Sequence, residues 1–133
     1  MRAPKSFDDI PTLETAGWTL VSAEDRHRAS PATFEIPTLQ ERQTLKIGDA
    51  AKLLFDIETK ENGKTIDRGV DRMWVIVKRT QGAYLGVLDS DPGLADNLDL
   101  RRGDTITFQP RHICSIKRPP REYVLATYGS DFF

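Results

Sequence analysis

Two strand-like runs joined through Asn62-Gly63 constrain this chain more than any other feature. Lys52-Leu53-Leu54-Phe55-Asp56-Ile57-Glu58 alternates, with Leu53, Phe55 and Ile57 on one side and Lys52, Asp56 and Glu58 on the other, the period of a half-buried strand. Asn and Gly both tolerate the positive φ of a type I′ turn, so the dipeptide predicts that this strand ends and the chain folds back. Arg72-Met73-Trp74-Val75-Ile76-Val77-Lys78 is β-branched and apolar on both sides, which predicts a central strand covered on each face. Thr80-Gln81-Gly82 then turns into a strand over 83–88. Its interior Gly86 predicts a bulge or a close approach by another backbone.

The flanks add short elements. Trp18-Thr19-Leu20-Val21 suits a strand, and Ser22-Ala23-Glu24-Asp25 and Thr38-Leu39-Gln40-Glu41 both match the pattern that caps a helix start. Ser30-Pro31 stops the first helix, and the second runs for one or two turns to about Thr44. Thr105-Ile106-Thr107-Phe108 alternates again, and a last strand is expected over 112–116. Leu94–Leu100, with Asp96 and Asp99, reads as a linker or helical turn. After Pro119-Pro120, Tyr123, Val124, Leu125 and Tyr128 should pack the tail on the body. Residues 1–17, broken by Pro4, Pro11 and Gly17, read as a loose arm with room for one turn around Thr12–Thr15.

The fold predicted is α+β: one domain over 18–133, a strongly bent antiparallel sheet or small open barrel of about five to seven strands with one or two short helices. Leu45-Lys46-Ile47-Gly48-Asp49 and Leu100-Arg101-Arg102-Gly103-Asp104 echo each other before two of the strands. In each, Gly supplies a turn conformation closed to other residues and Asp can bond back to the turn, so two similar turns are expected rather than a duplicated domain.

Composition restricts partners. A chain of 133 residues can bury about two-thirds of its unfolded surface without staples. Nineteen basic against twenty acidic residues provide no global field toward nucleic acid or an anionic membrane, so such binding needs a local patch. Cys114 is the only cysteine, which excludes an intrachain disulfide and a cysteine-based zinc site and suits a reducing compartment. The first residues lack a signal-peptide stretch and no window has the apolar length of a membrane span, so a cytoplasmic protein is expected.

The stretch 33–116 resembles the YegJ-like small bacterial domains of unknown function. The resemblance is carried by Thr33-Phe34-x-Ile36-Pro37, Glu41-Arg42, Leu45-x-x-Gly48-Asp49 with Lys52-Leu53-x-Phe55, and Arg72-Met73-Trp74-Val75-x-Val77. It continues through Tyr84-x-Gly86-Val87-Leu88-Asp89-x-Asp91-Pro92 and Gly103-Asp104-x-Ile106-x-Phe108-x-Pro110-x-His112-Ile113. It implies no activity. Ser90 stands where those domains ordinarily have asparagine between the two aspartates.

Candidate site residues are few. Asp89 and Asp91 are spaced as hard-cation ligands can be, but Asp89-Ser90-Asp91-Pro92-Gly93 lacks the further acids of a calcium loop and reads better as an Asx turn ending a strand. His112 and Cys114, with Asp104 nearby, have the residue types of a thiol nucleophile, yet a buried inert thiol and a structural histidine are preferred. His27 reads as solvated. Arg101, Arg102, Arg111, Lys117, Arg118 and Arg121 against Asp104 alone give 101–121 a charge of +5, a candidate nucleic-acid surface or a solvated strand edge. Trp74 could line a pocket or belong to the core. No phosphate-binding glycine loop, H-E-x-x-H, G-x-S-x-G or dinucleotide fingerprint is present, and no cofactor or metal is expected.

Three functions follow as expectations. The foremost is a non-enzymatic binding or accessory module for a protein partner, with a ligand site drawn from Trp74, Asp89, Asp91 and His112. The alternatives are a nucleic-acid binder using 101–121, and an enzyme of unknown class with a site near 89–92.

Overall fold

The computed structural model describes residues 17–92 and 100–133, so the arm's residues 1–16, the turn expected at Thr12–Thr15, and Asp96 and Asp99 lie outside the described residues. Six strands form one antiparallel sheet that curls into a half-barrel: β1 (Trp18–Leu20), β2 (Ala50–Glu61), β3 (Lys64–Arg79), β4 (Tyr84–Leu88), β5 (Thr105–Phe108) and β6 (Ile113–Lys117). Among the described residues three α-helices accompany it: α1 (Ala23–Ala29), α2 (Leu39–Gln43) and α3 (Arg121–Tyr128). The α+β architecture is therefore the one the periodicities predict, with a third helix in the tail.

The sheet runs β1-β2-β3-β4-β5, and β6 also pairs with β2. β2 is long enough for two neighbours on one edge: β1 lies beside its second half through Trp18↔Ile57, and β6 beside its first half through Ala50↔Lys117. Asn62 and Gly63, at φ 52° and 78°, make the tight β2–β3 connection. β3 pairs with both β2 and β4, as a central strand must.

Each face of the sheet has its own core. One buries Ala51, Leu53, Phe55, Ile57, Met73, Val75, Leu88, Ile106, Phe108 and Ile113 with Trp18, Leu45 and Leu100. On the opposite face, Ala50, Ile76 and Val87 pack against Val124 and Phe132 of the C-terminal segment. That second core is why β3 is apolar on both sides. A bulge falls in β3 between Val77 and Arg79, opposite Gly86 and Leu85. At Gly86 itself the close approach is by side chains: a Cβ would lie 3.1 Å from Val75 and 3.2 Å from the Phe108 ring.

The helix starts follow their caps. Ser22 Oγ accepts the Asp25 N–H, and Thr38 and Glu41 form a complete capping box. The buried Arg42 then ties α2 to α1 and to the turn before β6, donating to Glu24 Oε2 at 2.6 Å, to the Pro37 carbonyl at 2.9 Å and to the Pro110 carbonyl at 3.1 Å. Tyr84 Oη donates to the Arg42 carbonyl and accepts from the Leu45 N–H. These contacts span up to 68 residues, and no local pattern announces them.

Candidate functional site

The β-ladder sets two rows of residues on the face that carries the smaller core. Lys117, Ala50 and Ile76 share one row, and Ser115, Lys52 and Trp74 the next. Where these rows meet the C-terminal segment there is a groove of about 440 Å³. Ala50, Trp74 and Ile76 line it from the sheet, Lys117, Arg118, Pro119 and Pro120 from the connection after β6, Tyr123 from α3, and Asp89 from the end of β4.

Trp74 is half-buried, and two ammonium groups lie over its ring, Lys52 Nζ at 5.0 Å and Lys117 Nζ at 4.7 Å from the centroid. The indole's negative face attracts both, and the ring in turn restrains two otherwise flexible side chains. Register explains the meeting: β6 pairs with β2 on one side and β3 pairs with it on the other, so residues as far apart in the chain as Lys52, Trp74 and Lys117 become neighbours on one face.

Asp89 closes the opposite end. Its backbone N–H donates to the Trp74 carbonyl at 2.8 Å, which fixes the side chain beside the groove. The carboxylate accepts the Tyr123 hydroxyl at 2.8 Å, the Tyr128 hydroxyl through a short bond, and Arg102 Nη2 at 3.4 Å. Burial and this carboxylate push the Tyr128 phenol well above the ordinary tyrosine range, and the hydrogen bond to Asp89 pushes Tyr123 upward as well. Asp89 is thereby a latch that holds α3 against the sheet. Ser90 Oγ accepts the Trp74 N–H at 3.3 Å, as the loop's expected turn chemistry allows.

The other candidates lie elsewhere. Asp91 is exposed and does not line the groove. His112 sits not in a strand but in a 3-10 turn, Pro110–His112, because Pro110 cannot donate to a ladder and opens a tight turn instead. The last strand consequently starts one residue later than the alternation suggests, and His112 does not share a strand face with Cys114. The imidazole is buried against α1 and α2, its Nδ1 accepts the Gln109 N–H at 3.0 Å, and burial lowers its pKa to about 4. Cys114 is half-buried, its thiol donates to the Lys52 carbonyl, and burial raises its pKa. His27, expected to be solvated, bonds the Phe34 carbonyl at 2.7 Å through Nδ1, which must therefore carry the proton.

The basic segment divides in the same way. Lys117 and Arg118 line the groove, Arg102 is turned onto Asp89, and the Arg121 guanidinium lies 4.1 Å over Phe133. Arg111 bonds Gln109 beside the 3-10 turn, and Arg101 is exposed with its N–H on Asp104. Among the described residues no group of three His, Cys, Asp or Glu side chains is placed to hold a metal ion, and no helix is long and apolar enough to cross a membrane.

As site residues, Tyr128 and Lys52 are not marked by the sequence: Lys52 reads there as the polar face of a strand and Tyr128 as tail packing, and Tyr123 likewise enters with the tail. The available signal was weak: Glu122 in the first turn after Pro119-Pro120, with Val124 and Tyr128 four apart, is a short helix pattern with one apolar stripe. Comparisons with protein-family models, with curated proteins and with solved structures find no match.

Proposed function

We propose that this chain is a YegJ-like, non-catalytic binding module and that a segment of a protein partner lies in the groove beside Trp74. The observation that carries this is the lining itself. Trp74, Tyr123, Ile76 and Pro119-Pro120 frame one concavity whose charged groups are Lys117, Arg118 and Asp89, the aromatic-rich composition that recognition sites use to gain contact area at low conformational cost. The titratable groups that acid–base chemistry would draw on are occupied: Asp89 accepts two phenols and a guanidinium, and His112 is a buried, neutral acceptor. The six basic side chains of 101–121 occupy several different settings, which disfavours a nucleic-acid track.

The test uses Trp18→Phe, which leaves Trp74 as the sole indole, because Trp18 is deeply buried at 2% exposure. Peptides selected from a displayed random library on the full chain should shift Trp74 emission on titration. Their affinity should fall about tenfold or more in Tyr123→Ala, as expected for an aromatic anchor at a binding surface. Selected peptides that bind without touching either readout would show that the groove is not the site.

A further inference from the structure

Lys52 and Lys117 have an arrangement that neither packing nor solubility requires. Both ammonium groups are drawn over one indole, and among the described residues neither is paired with a carboxylate. Two like charges over one half-buried ring repel each other. Lys117 and Arg118 line the groove, and Lys52 adjoins it through the Trp74 ring; Arg118, 79% exposed along its side chain, has a 3.7 Å approach to Asp49. Among the described residues Asp89 is the one carboxylate in the lining, and it is already matched by Arg102 and two phenols. Among the described residues, Lys117 in the lining and Lys52 at its edge thus carry positive charge with no carboxylate partner, in a chain whose net charge is −1.

On the basis that the groove is the ligand site, we infer that the segment it takes is an acidic peptide: carboxylates meet Lys52, Lys117 and Arg118 while a neighbouring apolar side chain enters between Ile76 and Pro119-Pro120. Charge complementarity selects the partner. The cation–π contacts hold the two ammonium groups in place before binding, so less side-chain entropy is lost when a carboxylate bridges them. A single-stranded nucleic acid fits less well, because the ring that would stack a base is capped by ammonium groups and the remaining arginines do not extend the track.

The experiment pans a displayed library of random short peptides on the full chain at low salt and compares the double variant Lys52→Gln/Lys117→Gln with Tyr123→Ala. A thermal melt of each variant confirms folding; Lys117 is exposed and Lys52 half-buried, and glutamine keeps most of each side chain's length. Enrichment of Asp or Glu beside an apolar residue is expected, with affinity falling about tenfold in the lysine variant and falling as salt rises. Binders that need Tyr123 but show no acidic enrichment and ignore the lysine changes would overturn the acidic partner and leave the groove standing. Binders indifferent to Tyr123→Ala, or no binders at all, would overturn both. An oligothymidylate that displaces the peptides and is itself lost in the lysine variant would overturn the inference in favour of nucleic acid.

Discussion

In the turn before β2, Asp49 Oδ2 accepts the Lys46 N–H at 2.9 Å, and in the turn before β5, Asp104 Oδ2 accepts the Arg101 N–H at 2.9 Å. The glycines between them, Gly48 and Gly103, have φ of 96° and 93°. Each then donates to the end of a central strand, Gly48 to the Val77 carbonyl and Gly103 to the Leu88 carbonyl, both at 2.8 Å. Leu45 and Leu100 anchor the two turns in the same core. Their surroundings differ. A Cβ on Gly48 would lie 2.5 Å from the Phe133 ring, whereas nothing lies within 4 Å of one on Gly103. Asp49 faces Arg118 across 3.7 Å, while the second turn sends Arg102 to Asp89. The same local code makes the same turn twice, but the first copy meets the C-terminal segment directly, at Arg118 and Phe133, and the second through Asp89, which holds Tyr123 and Tyr128.

The largest effect that would break this comparison is loss of the latch on the second turn's side. Asp89→Ala removes the acceptor of Tyr123, Tyr128 and Arg102, and should cost about 2–3 kcal/mol by chemical denaturation, since hydrogen bonds to a charged group are the strong ones. The same variant should expose Trp74, seen as a red shift of its emission. An unchanged midpoint and spectrum would mean that α3 is held by Val124 and Phe132 alone.

The glycines sharpen the contrast. Alanine at either position must adopt a left-handed φ, costing about 1–2 kcal/mol. At Gly48 the Phe133 ring must also move, so Gly48→Ala should be the more destabilising of the two. In a Phe133→Ala background that excess should vanish. If Gly48→Ala and Gly103→Ala cost the same in the native background, the Phe133 contact contributes nothing.

The smallest effect is a pH dependence confined to one turn's side. Tyr128 is held protonated by burial and by Asp89, so its folded pKa exceeds the unfolded value of 10.0. Above that pH the unfolded chain loses the proton first, and stability falls as pH rises, by about 1 kcal/mol over the first unit. Tyr128→Phe should flatten this alkaline decline while Gly48→Ala leaves its slope unchanged. Urea melts at several alkaline pH values would decide it.

These features differ in how far the sequence betrays them. The Asn62-Gly63 hairpin, the two helix caps and the paired Gly-Asp turns are visible because partners within about four residues create them. His112 shows the limit of that logic: alternation extends a strand to it, but Pro110 two residues earlier forces a 3-10 turn. The smaller core is legible as an apolar second face on β3 and as a tail whose Val124 packs on the body, but no local pattern pairs the two or brings in Phe132. Tyr123 and Tyr128 reach Asp89 across 34 and 39 residues, and no period or motif connects them.

What the sequence by itself determined is the set of strands and turns, because alternation, left-handed glycines and capping side chains act over a few bonds. Only the tertiary structure decided that Lys117 would stand over Trp74, that the half-barrel's second face would hold a groove, and that Asp89 would be a latch rather than a free carboxylate. Those outcomes depend on β6 choosing β2 as its neighbour and on α3 docking beside it. Such choices are made by the joint burial of distant apolar surfaces, and no short stretch of sequence contains both partners.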